Sequence, residues 1–442
     1  MNRKVYIETY GCQMNVADSE IVASILSKDG YETSDNINDA DLILINTCSI
    51  RENAEQRIWS RLRTIKHLKI KNRNVIVGLI GCMAERLKEK VIETEYLIDL
   101  VAGPDTYREL PSLIEEAESG HKTVNVLLSR EETYGDISPV RMDKNGVTSF
   151  ISIMRGCNNM CAYCVVPYVR GTERSRDPES VVAEASELFK RGYREVTLLG
   201  QNVDSYSWTE NDKNTGFADI LGLVARISPL LRVRFSTSHP KDISDDLLRT
   251  IDHHDNICKH IHLPAQSGSS RILKLMNREY TREWYMDRVK AIRSIIPACA
   301  ISTDMIAGFC TETEEDHKES LSLMEWAEFD FAFMFKYSER PGTRAARKLK
   351  DDIPEEIKTR RLNEIISLQN RLSYISKKND VGKTVEVLVE GPSKRSQDYL
   401  SGRTSQNKVV VFPGEQIEKG EYIRVRLDRA TSATLIGTAM IP

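Results

Sequence analysis

The feature that most constrains the fold is a regular alternation of short apolar runs with helical patterns. In the N-terminal part, the runs Val5–Tyr10, Leu42–Ile45 and Val75–Ile80 are rich in β-branched residues, which is typical of buried strands. The intervening segments carry apolar residues at helical spacing, and Asp18-Ser19 is predicted to cap the first helix. Strands that alternate with helices indicate βαβ units, so we expect an α/β domain with a parallel sheet.

The alternation continues in the central part of the chain with six more strand candidates. They are Phe150–Met154, Val196–Leu199, Val233–Thr237, His260–Leu263, Ile301–Ile306 and Phe331–Tyr337. Six βα units predict a partial, TIM-like (β/α)6 barrel, in which the chemistry lies at the C-terminal ends of the strands. Beyond Gly382, short strand candidates alternate with Gly and Pro turns, and this pattern is typical of a small all-β, OB-like barrel.

These patterns divide the 442-residue chain into four segments. We expect an N-terminal domain at 1–120, a linker at 121–146, a core at 147–379 and a C-terminal barrel at 380–442. The sequence contains no apolar run of about twenty residues, so no membrane span is expected. The first residues lack the pattern of a secretory signal, which predicts a cytoplasmic location.

Nine cysteines are spread along the chain. In the cytoplasm, such cysteines favour metal binding or catalysis over a disulfide framework. The net charge of −3 gives no global sign of a nucleic-acid partner, so an RNA site would have to be a local basic surface.

Three cysteines at CxxxCxxC spacing, Cys157, Cys161 and Cys164, follow the first strand of the central series. Thiolates are the standard ligands of iron–sulfur clusters, and a four-iron cubane normally takes four of them. Three local cysteines therefore leave one iron open, and the amino and carboxylate groups of S-adenosylmethionine can chelate it. A zinc site is the alternative, but structural zinc takes four ligands and no partner pair lies nearby in the sequence.

A second set of cysteines, Cys12, Cys48 and Cys82, is far apart in sequence, yet each member closely follows a predicted strand. The carboxyl ends of parallel strands meet at one edge of a sheet, so the three thiols are expected to converge there and hold a second cluster. The alternative is three ordinary buried cysteines, since free cysteine is among the most buried residue types. Equivalent placement in three successive βα units favours the cluster.

The motifs around both sets resemble a known family. The segment Ile151–Cys157 (ISIMRGC) resembles the radical S-adenosylmethionine superfamily, and Tyr10–Asn15 (YGCQMN) with Asn46–Glu55 (NTCSIRENAE) resembles the MiaB family of bacterial tRNA methylthiotransferases. The resemblance covers nearly the whole chain. It implies an N-terminal cluster domain, a radical core and a C-terminal TRAM domain.

The resemblance also implies the cofactors and the reaction. Two four-iron clusters are expected, an auxiliary one on Cys12, Cys48 and Cys82 and a radical-generating one on the CxxxCxxC cysteines. One S-adenosylmethionine methylates a sulfur at the auxiliary cluster, and a second is cleaved to a radical that takes hydrogen from carbon 2 of N6-isopentenyladenosine, just 3′ of the anticodon. The implied partners are the tRNA anticodon stem-loop, an external electron donor and a sulfur or cluster donor protein, and we expect a monomer.

Several polar residues are candidates for the S-adenosylmethionine pocket because they follow or end strands of the core. They are Gln201, Ser236, Ser238 and Gln266. Helix capping is an equally good explanation for each of them. Gly308 and Glu312 match a family motif near the adenine, but this chain has Cys310-Thr311 where family members commonly have Pro-Gly, which leaves the turn geometry open.

Basic residues near the cluster motif and on barrel loops are candidates for RNA phosphate contacts. They are Arg170, Arg174, Arg176, Lys394, Arg395, Arg403 and Lys408. Small barrels bind nucleic acid through such loops. The C-terminal segment also carries many acidic residues, so on charge alone a solvated surface explains the barrel residues as well.

Two other functions remain possible at this level. The same chemistry can act on threonylcarbamoyladenosine of tRNA or on an aspartate of a ribosomal protein, as in sibling families. A protein of another class, a non-catalytic iron–sulfur electron carrier that binds RNA, would gain nothing from an open iron at the CxxxCxxC site. The remaining cysteines, Cys258, Cys299 and Cys310, have no clustered partners and are interpreted as ordinary packed residues.

Overall fold

A six-stranded parallel sheet forms the N-terminal part of the computed structural model, which describes residues 3–49, 52–143, 145–394, 396–414 and 416–440. Its strands are β1 (Arg3–Tyr10), β2 (Tyr31–Thr33), β3 (Leu42–Thr47), β4 (Ile76–Gly81), β5 (Leu100–Ala102) and β6 (Thr123–Asn125). Its helices are α1 (Gln13–Lys28), α2 (Glu52–Lys71), α3 (Cys82–Leu87), α4 (Glu89–Thr94) and α5 (Leu110–Glu118). The strand order is β2-β1-β3-β4-β5-β6, and two apolar clusters cover β3 and β4 on both faces.

The parallel sheet predicted from the sequence is confirmed, but the start of the first helix is not where the sequence placed it. Helix α1 begins at Gln13 with Cys12 at its N-cap, so Asp18 and Ser19 lie inside the helix and are buried. The predicted cap was wrong because Asp18 has a stronger partner elsewhere, in a buried ion pair with the core.

The central part contains the six predicted strands of a partial barrel. Its strands are β7 (Thr148–Ser152), β8 (Met154–Arg155), β9 (Arg174–Ser175), β10 (Glu195–Leu199), β11 (Ser207–Glu210), β12 (Lys213–Gly216), β13 (Arg232–Ser236), β14 (His260–His262), β15 (Ala300–Ala307) and β16 (Phe331–Lys336). Strands β7, β10 and β13 form one parallel sheet and β14, β15 and β16 another. The two sheets lie side by side at β13 and β14, and Val233 of β13 bridges to Ile257, three residues before β14.

Helix α6 (Val166–Arg170) packs against Cys82 of the N-terminal domain. The helices that contribute to one continuous apolar cluster with the sheets are α7 (Pro178–Lys190), α8 (Phe217–Ala225), α9 (Asp245–His253), α10 (Ser270–Leu275), α11 (Arg282–Ile295), α12 (Glu314–Ala327) and α14 (Glu355–Lys378). Helix α13 (Arg344–Lys348) contributes Ala345 to a smaller cluster. Short 3-10 turns occupy Ile37–Asp39, Tyr107–Glu109 and Val203–Ser205. Among the described residues, no helix has the length and apolar character needed to cross a membrane.

The C-terminal part is a closed five-stranded barrel, as predicted. It contains β17 (Thr384–Ser393), β18 (Ser396–Arg403), β19 (Val409–Pro413), β20 (Tyr422–Ala430) and β21 (Leu435–Met440), in the order β17-β18-β19-β21-β20. The barrel packs on the core through polar contacts: Arg234 Nη2 donates to the carbonyl of Thr404 at 2.8 Å, and the Tyr422 hydroxyl donates to the carbonyl of Arg194 at 3.1 Å.

A buried ion-pair network joins the N-terminal domain to the core. Asp18 of α1 accepts from Arg155 Nη1 at 2.8 Å and from Arg170 Nη2 at 2.6 Å, and Asp105 pairs with Arg174 at 3.0 Å. Burial alone would raise the pKa of Asp18, but the two adjacent guanidinium groups hold it below its ordinary value. The carboxylate is therefore charged and fixes the relative position of the two domains.

We expect the substitution Asp18→Ala to lower the free energy of unfolding by about 3–5 kcal/mol, because it leaves buried guanidinium groups without their carboxylate. The measurement is equilibrium urea unfolding at neutral pH. Since the pKa of Asp18 is lower in the folded state, its stabilising effect is present above the unfolded pKa and is lost as the pH falls through the folded pKa.

The control is Asp39→Ala, which removes a half-exposed carboxylate that lies 4.0 Å from Lys4 Nζ. This change should alter the free energy of unfolding by no more than about 0.5 kcal/mol. Equal effects of the two substitutions would contradict a special role for the buried pair.

Candidate cluster and cofactor site

The three N-terminal cysteines follow three neighbouring strands of the sheet. Cys12 follows β1, Cys48 follows β3 and Cys82 follows β4, and the ends of these strands are in register at Tyr10, Thr47 and Gly81. The backbone N–H of Cys48 donates to the carbonyl of Tyr10 at 2.9 Å. The strand ends therefore bring the three thiols to one edge of the sheet, and their role as cluster ligands stays a prediction.

Two asparagines of the N-terminal motifs hold the loops that carry these thiols. The Asn15 Oδ1 accepts from both the backbone N–H and the thiol of Cys12 at 3.3 Å, and Asn15 Nδ2 donates to Asn46 Oδ1 at 3.0 Å. Gly81 has φ of +90°, and an added Cβ would lie 2.4 Å from Asn46 Oδ1. Only glycine fits at this position, so Gly81 and Asn46 are both required for the shape of the turn before Cys82.

Charge and hydrogen bonding at this edge favour the thiolate form of Cys12. A hydrogen bond with Cys48 and the positive charge of Arg170 lower the pKa of the Cys12 thiol below its ordinary value. Arg170 Nε donates to Cys82 Sγ at 3.2 Å, although burial raises the pKa of the Cys82 thiol. Since the thiolate is the form that binds metals, this surrounding suits a cluster.

The CxxxCxxC cysteines lie in the loop between β8 and α6. The N–H of Cys157 donates to the carbonyl of Gly171 at 3.1 Å, and the N–H of Cys164 donates to the carbonyl of Cys161 at 3.0 Å. Gly156 has φ of +79°, and an added Cβ would lie 1.9 Å from the carbonyl oxygen of Thr172, so a glycine is required before the first cysteine. The loop is thus preorganised by its own backbone.

A buried arginine that the sequence interpretation missed contacts this loop. Arg278 Nη1 donates to Cys161 Sγ at 3.3 Å, and Arg278 Nη2 donates to the carbonyl of Pro264 at 3.1 Å. No motif could have identified it, because it lies 117 positions from Cys161.

Burial raises the pKa of the Cys157 and Cys164 thiols to about 12, so these two thiols keep their protons until a metal displaces them.

The donor chemistry of both thiol sets suits a metal cluster rather than a single ion. Within the residues that the structure describes, no three Cys, His, Asp or Glu side chains close around the position of a single ion. A four-iron cubane does not need such convergence, because each thiolate binds a different iron. Both cysteine sets consist of thiols alone, and this donor chemistry fits a cluster with one iron left for another ligand.

The candidate cofactor residues occupy different surroundings. Gln201 is half-buried, and its Oε1 is buried without a hydrogen-bond partner in the described part of the chain, so this acceptor is unpaired. Ser236 shares a hydrogen bond with the Thr237 hydroxyl at 3.1 Å. Ser238 donates to Asp204 at 3.1 Å, and the backbone N–H of Gln266 donates to the carbonyl of Asp304 at 2.8 Å. Gln201 is therefore the best supported of the four.

The turn around Gly308 and Glu312, where this chain departs from the family motif, is closed by hydrogen bonds to the Glu312 carboxylate. Glu312 accepts from the N–H of Phe309 at 3.0 Å, and burial raises the pKa of Glu312 to about 7. Thr311 has φ of +64°, a conformation that favours glycine, which explains why family members place glycine there. Its N–H donates to Asp352 Oδ1 at 2.8 Å, and this contact supports the unusual conformation.

The structure corrects the prediction that the arginines after the cluster loop contact RNA phosphates. Arg170, Arg174 and Arg176 are all buried. Their carboxylate partners are Asp18, Asp105 and Glu184, respectively. Each guanidinium is paired with a carboxylate inside the protein, so a phosphate would have to displace a buried ion pair to reach it.

The barrel candidates differ from one another. Lys394 is exposed at the turn between β17 and β18, whereas Arg395 lies outside the described residues. Arg403 pairs with Glu390 at 3.1 Å, and Lys408 pairs with Asp380 at 2.6 Å beside the end of α14. Lys394 is therefore accessible to RNA, and Arg403, whose side chain is 42% exposed, is partly accessible.

Three family models match consecutive parts of the chain. The model of the uncharacterized protein family UPF0004 matches residues 4–103, that of the Radical SAM superfamily residues 151–324, and that of the TRAM domain residues 378–440. The radical S-adenosylmethionine match implies a four-iron cluster and S-adenosylmethionine as cofactors.

Solved structures with low sequence identity share the fold. The radical S-adenosylmethionine methyltransferase TsrM from Kitasatospora setae, with cobalamin and a [4Fe-4S] cluster bound, has a TM-score of 0.57 at 13% identity and covers 78% of this chain and 74% of its own. The cobalamin-dependent S-adenosylmethionine radical enzyme OxsB has a TM-score of 0.53 at 14% identity over 83% of this chain and 56% of its own. These similarities concern the fold alone.

Sequence relatives are much closer. A tRNA-2-methylthio-N(6)-dimethylallyladenosine synthase from Amoebophilus asiaticus is 58% identical over 99% of this chain and 92% of that relative. A protein of the same name from Parabacteroides distasonis is 58% identical over 98% of this chain and 95% of that relative. The chain therefore belongs to the radical S-adenosylmethionine methylthiotransferases, in the family of the tRNA-2-methylthio-N(6)-dimethylallyladenosine synthases.

Proposed function

We propose that this protein adds a methylthio group to carbon 2 of N6-isopentenyladenosine (dimethylallyladenosine), just 3′ of the anticodon in tRNA. The observation that carries the proposal is the junction of two thiol sets at one domain boundary. Helix α6 begins two residues after Cys164 and ends at Arg170, which contacts Cys82. Val165 and Val169 pack against Cys82 as well. One short helix thus connects both sets.

Each thiol set is one ligand short of a closed four-iron cluster, which supports two clusters with an open iron each. The auxiliary cluster would be held by Cys12, Cys48 and Cys82, and the other by the CxxxCxxC cysteines. When bound, the second cluster and S-adenosylmethionine supply an electron and a carbon radical. Carbon 2 of the adenine carries no proton that a base could remove, so radical chemistry suits this substrate.

The residues of the chain have positioning roles in this proposal. The unpaired Oε1 of Gln201 would accept a hydrogen bond from the amino group of S-adenosylmethionine. Arg278 holds the thiol of Cys161, and the Asp18 network keeps the two thiol sets at a constant separation. Exact placement matters because reacting atoms must be held in contact for the transfer to compete with side reactions.

The tRNA is bound in part by the C-terminal barrel, with the exposed Lys394 near phosphate. The modified base lies in a loop, and it has to leave its stack to enter a pocket in the core. An external electron donor and a sulfur or cluster donor protein are further partners. The cytoplasmic location and the monomeric state stay predictions.

The direct test is mass spectrometry of nucleosides after anaerobic incubation of the reconstituted enzyme with tRNA, S-adenosylmethionine and a reductant. With isopentenylated tRNA, we expect an adenosine derivative in which SCH3 replaces one hydrogen. With tRNA that carries threonylcarbamoyladenosine but lacks the isopentenyl group, we expect none. Product from the second tRNA alone would overturn the proposed substrate.

The two-cluster proposal predicts the iron content of a variant with Cys157, Cys161 and Cys164 replaced by Ala. It should retain about half the iron of the parent after anaerobic reconstitution, because the other three thiols are intact. The matched control replaces Cys258, Cys299 and Cys310 by Ala, removes the same number of thiols and should keep all the iron. If the first variant loses all of its iron, or loses no iron, the proposal of two independent sites is contradicted.

The same CxxxCxxC variant should separate the two half-reactions. Methyl transfer from S-adenosylmethionine to sulfur should persist, because it needs a positioned nucleophile but no reducing electron. No 5′-deoxyadenosine should form. Chromatography of the cofactor products measures both, and 5′-deoxyadenosine from this variant would refute the assignment of the radical site.

The role of the barrel predicts how tRNA binding depends on salt. The substitution Lys394→Ala should weaken binding at low salt and reduce the slope of log affinity against log salt by about 0.7–0.9, the value for one lost phosphate contact. The control is Lys383→Ala, which removes an exposed lysine directly before the first residue of β17, at the end of the strand away from Lys394. Equal effects of both changes, or none from the first, would argue against a local contact.

A further inference from the structure

Arg170 stands at the boundary between the two thiol sets and is not explained by the ion pair alone. It is 3% exposed, and its guanidinium makes two different contacts. Nη2 pairs with Asp18 at 2.6 Å, and Nε donates to Cys82 Sγ at 3.2 Å. Nη1 is buried and has no hydrogen-bond partner among the described residues. A buried N–H without a partner is costly, so a partner at this position is expected when the site is loaded.

The charges around Arg170 also indicate that it has a further partner when the site is loaded. Ion pairs within 4 Å join five buried side chains, two carboxylates and three guanidinium groups. They are Asp18, Asp105, Arg155, Arg170 and Arg174. The network therefore carries one positive charge more than its carboxylates neutralise. An uncompensated buried charge is unfavourable, and the group in contact with it is a cysteine thiol.

We propose that Arg170 is a positioning residue of the auxiliary site, where it holds the Cys82 thiolate and raises the reduction potential of the cluster. This inference rests on the proposed auxiliary cluster. Hydrogen bonds to the sulfurs and net charge are known determinants of cluster potential, and a nearby cation stabilises the more negative, reduced form. The step concerned is the gain of one electron from the external reductant, and no bond is made or broken in it.

A purely structural role for Arg170 would have different consequences. Arg174 belongs to the same network, lies four residues further along the chain in β9 and pairs with Asp105 at 3.0 Å. It also donates to the carbonyl of Arg170 at 3.1 Å, but among the contacts of the described residues it has none with a thiol. Arg174 is therefore a matched control, since its removal deletes a buried cation from the network without touching the cysteines.

The test is a redox titration of the auxiliary cluster, followed by electron paramagnetic resonance, in the full-length chain with Cys157, Cys161 and Cys164 replaced by Ala. Adding Arg170→Met should make one-electron reduction at least about tenfold less favourable, which is a midpoint about 59 mV more negative. Arg170→Lys, which retains the charge, should lie closer to the parent. Arg174→Met should shift the midpoint by less than half as much as Arg170→Met.

The outcomes separate this inference from the proposed function. If the parent with the three replacements holds no iron, the auxiliary cluster itself is refuted. If it holds iron and Arg170→Met leaves the midpoint unchanged, or Arg174→Met shifts it equally, the role of Arg170 is refuted while the cluster stands. Should Arg170→Met lose its iron, Arg170→Gln, which keeps an N–H donor but no charge, takes its place under the same criteria.

Discussion

The ion pairs of Asp18 are the interaction on which the arrangement of this protein depends. Asp18 lies in the first helix, and its two guanidinium partners, Arg155 and Arg170, flank the cysteine loop of the core. Such pairs are strong only when both charges are kept from water, and all three side chains are at most 3% exposed. The N-terminal sheet and the radical core are therefore joined by a contact that tolerates little displacement, and both thiol sets lie beside it.

This dependence explains which parts of the molecule could be predicted from the sequence. The strand ends that carry Cys12, Cys48 and Cys82 were predictable, because buried parallel strands have a recognisable apolar pattern and their carboxyl ends meet by geometry. The six core strands and the barrel followed from the same local patterns. Asp18 was assigned to a helix cap because capping is a local rule, and its actual partners lie 137 and 152 positions away.

The arginines after the cluster motif also show that local sequence patterns do not reveal long-range partners. A run of arginines after a cluster motif is an obvious candidate for phosphate contacts when only the sequence is known. In the folded chain, Arg170, Arg174 and Arg176 pair with buried carboxylates, whereas Lys394 is exposed. Whether a cation faces solvent depends on which domains pack against it, and no periodicity of the sequence records that. Arg278 was missed for the same reason.

Each thiol set has a buried arginine that donates a hydrogen bond to one of its thiols, but the two arginines have different further partners. In each, a buried guanidinium donates to one thiol, Arg170 to Cys82 at 3.2 Å and Arg278 to Cys161 at 3.3 Å. Arg170 also pairs with a carboxylate, whereas the other hydrogen bonds of Arg278 go to hydroxyl and carbonyl oxygens. A thiolate cluster is anionic, so a buried cation offsets part of its charge at both sites. Since a carboxylate pairs with Arg170 and none pairs with Arg278 among the described residues, the electrostatic surroundings of the two thiol sets differ. In the proposed two-cluster enzyme, this difference would contribute to different reduction potentials of the two clusters.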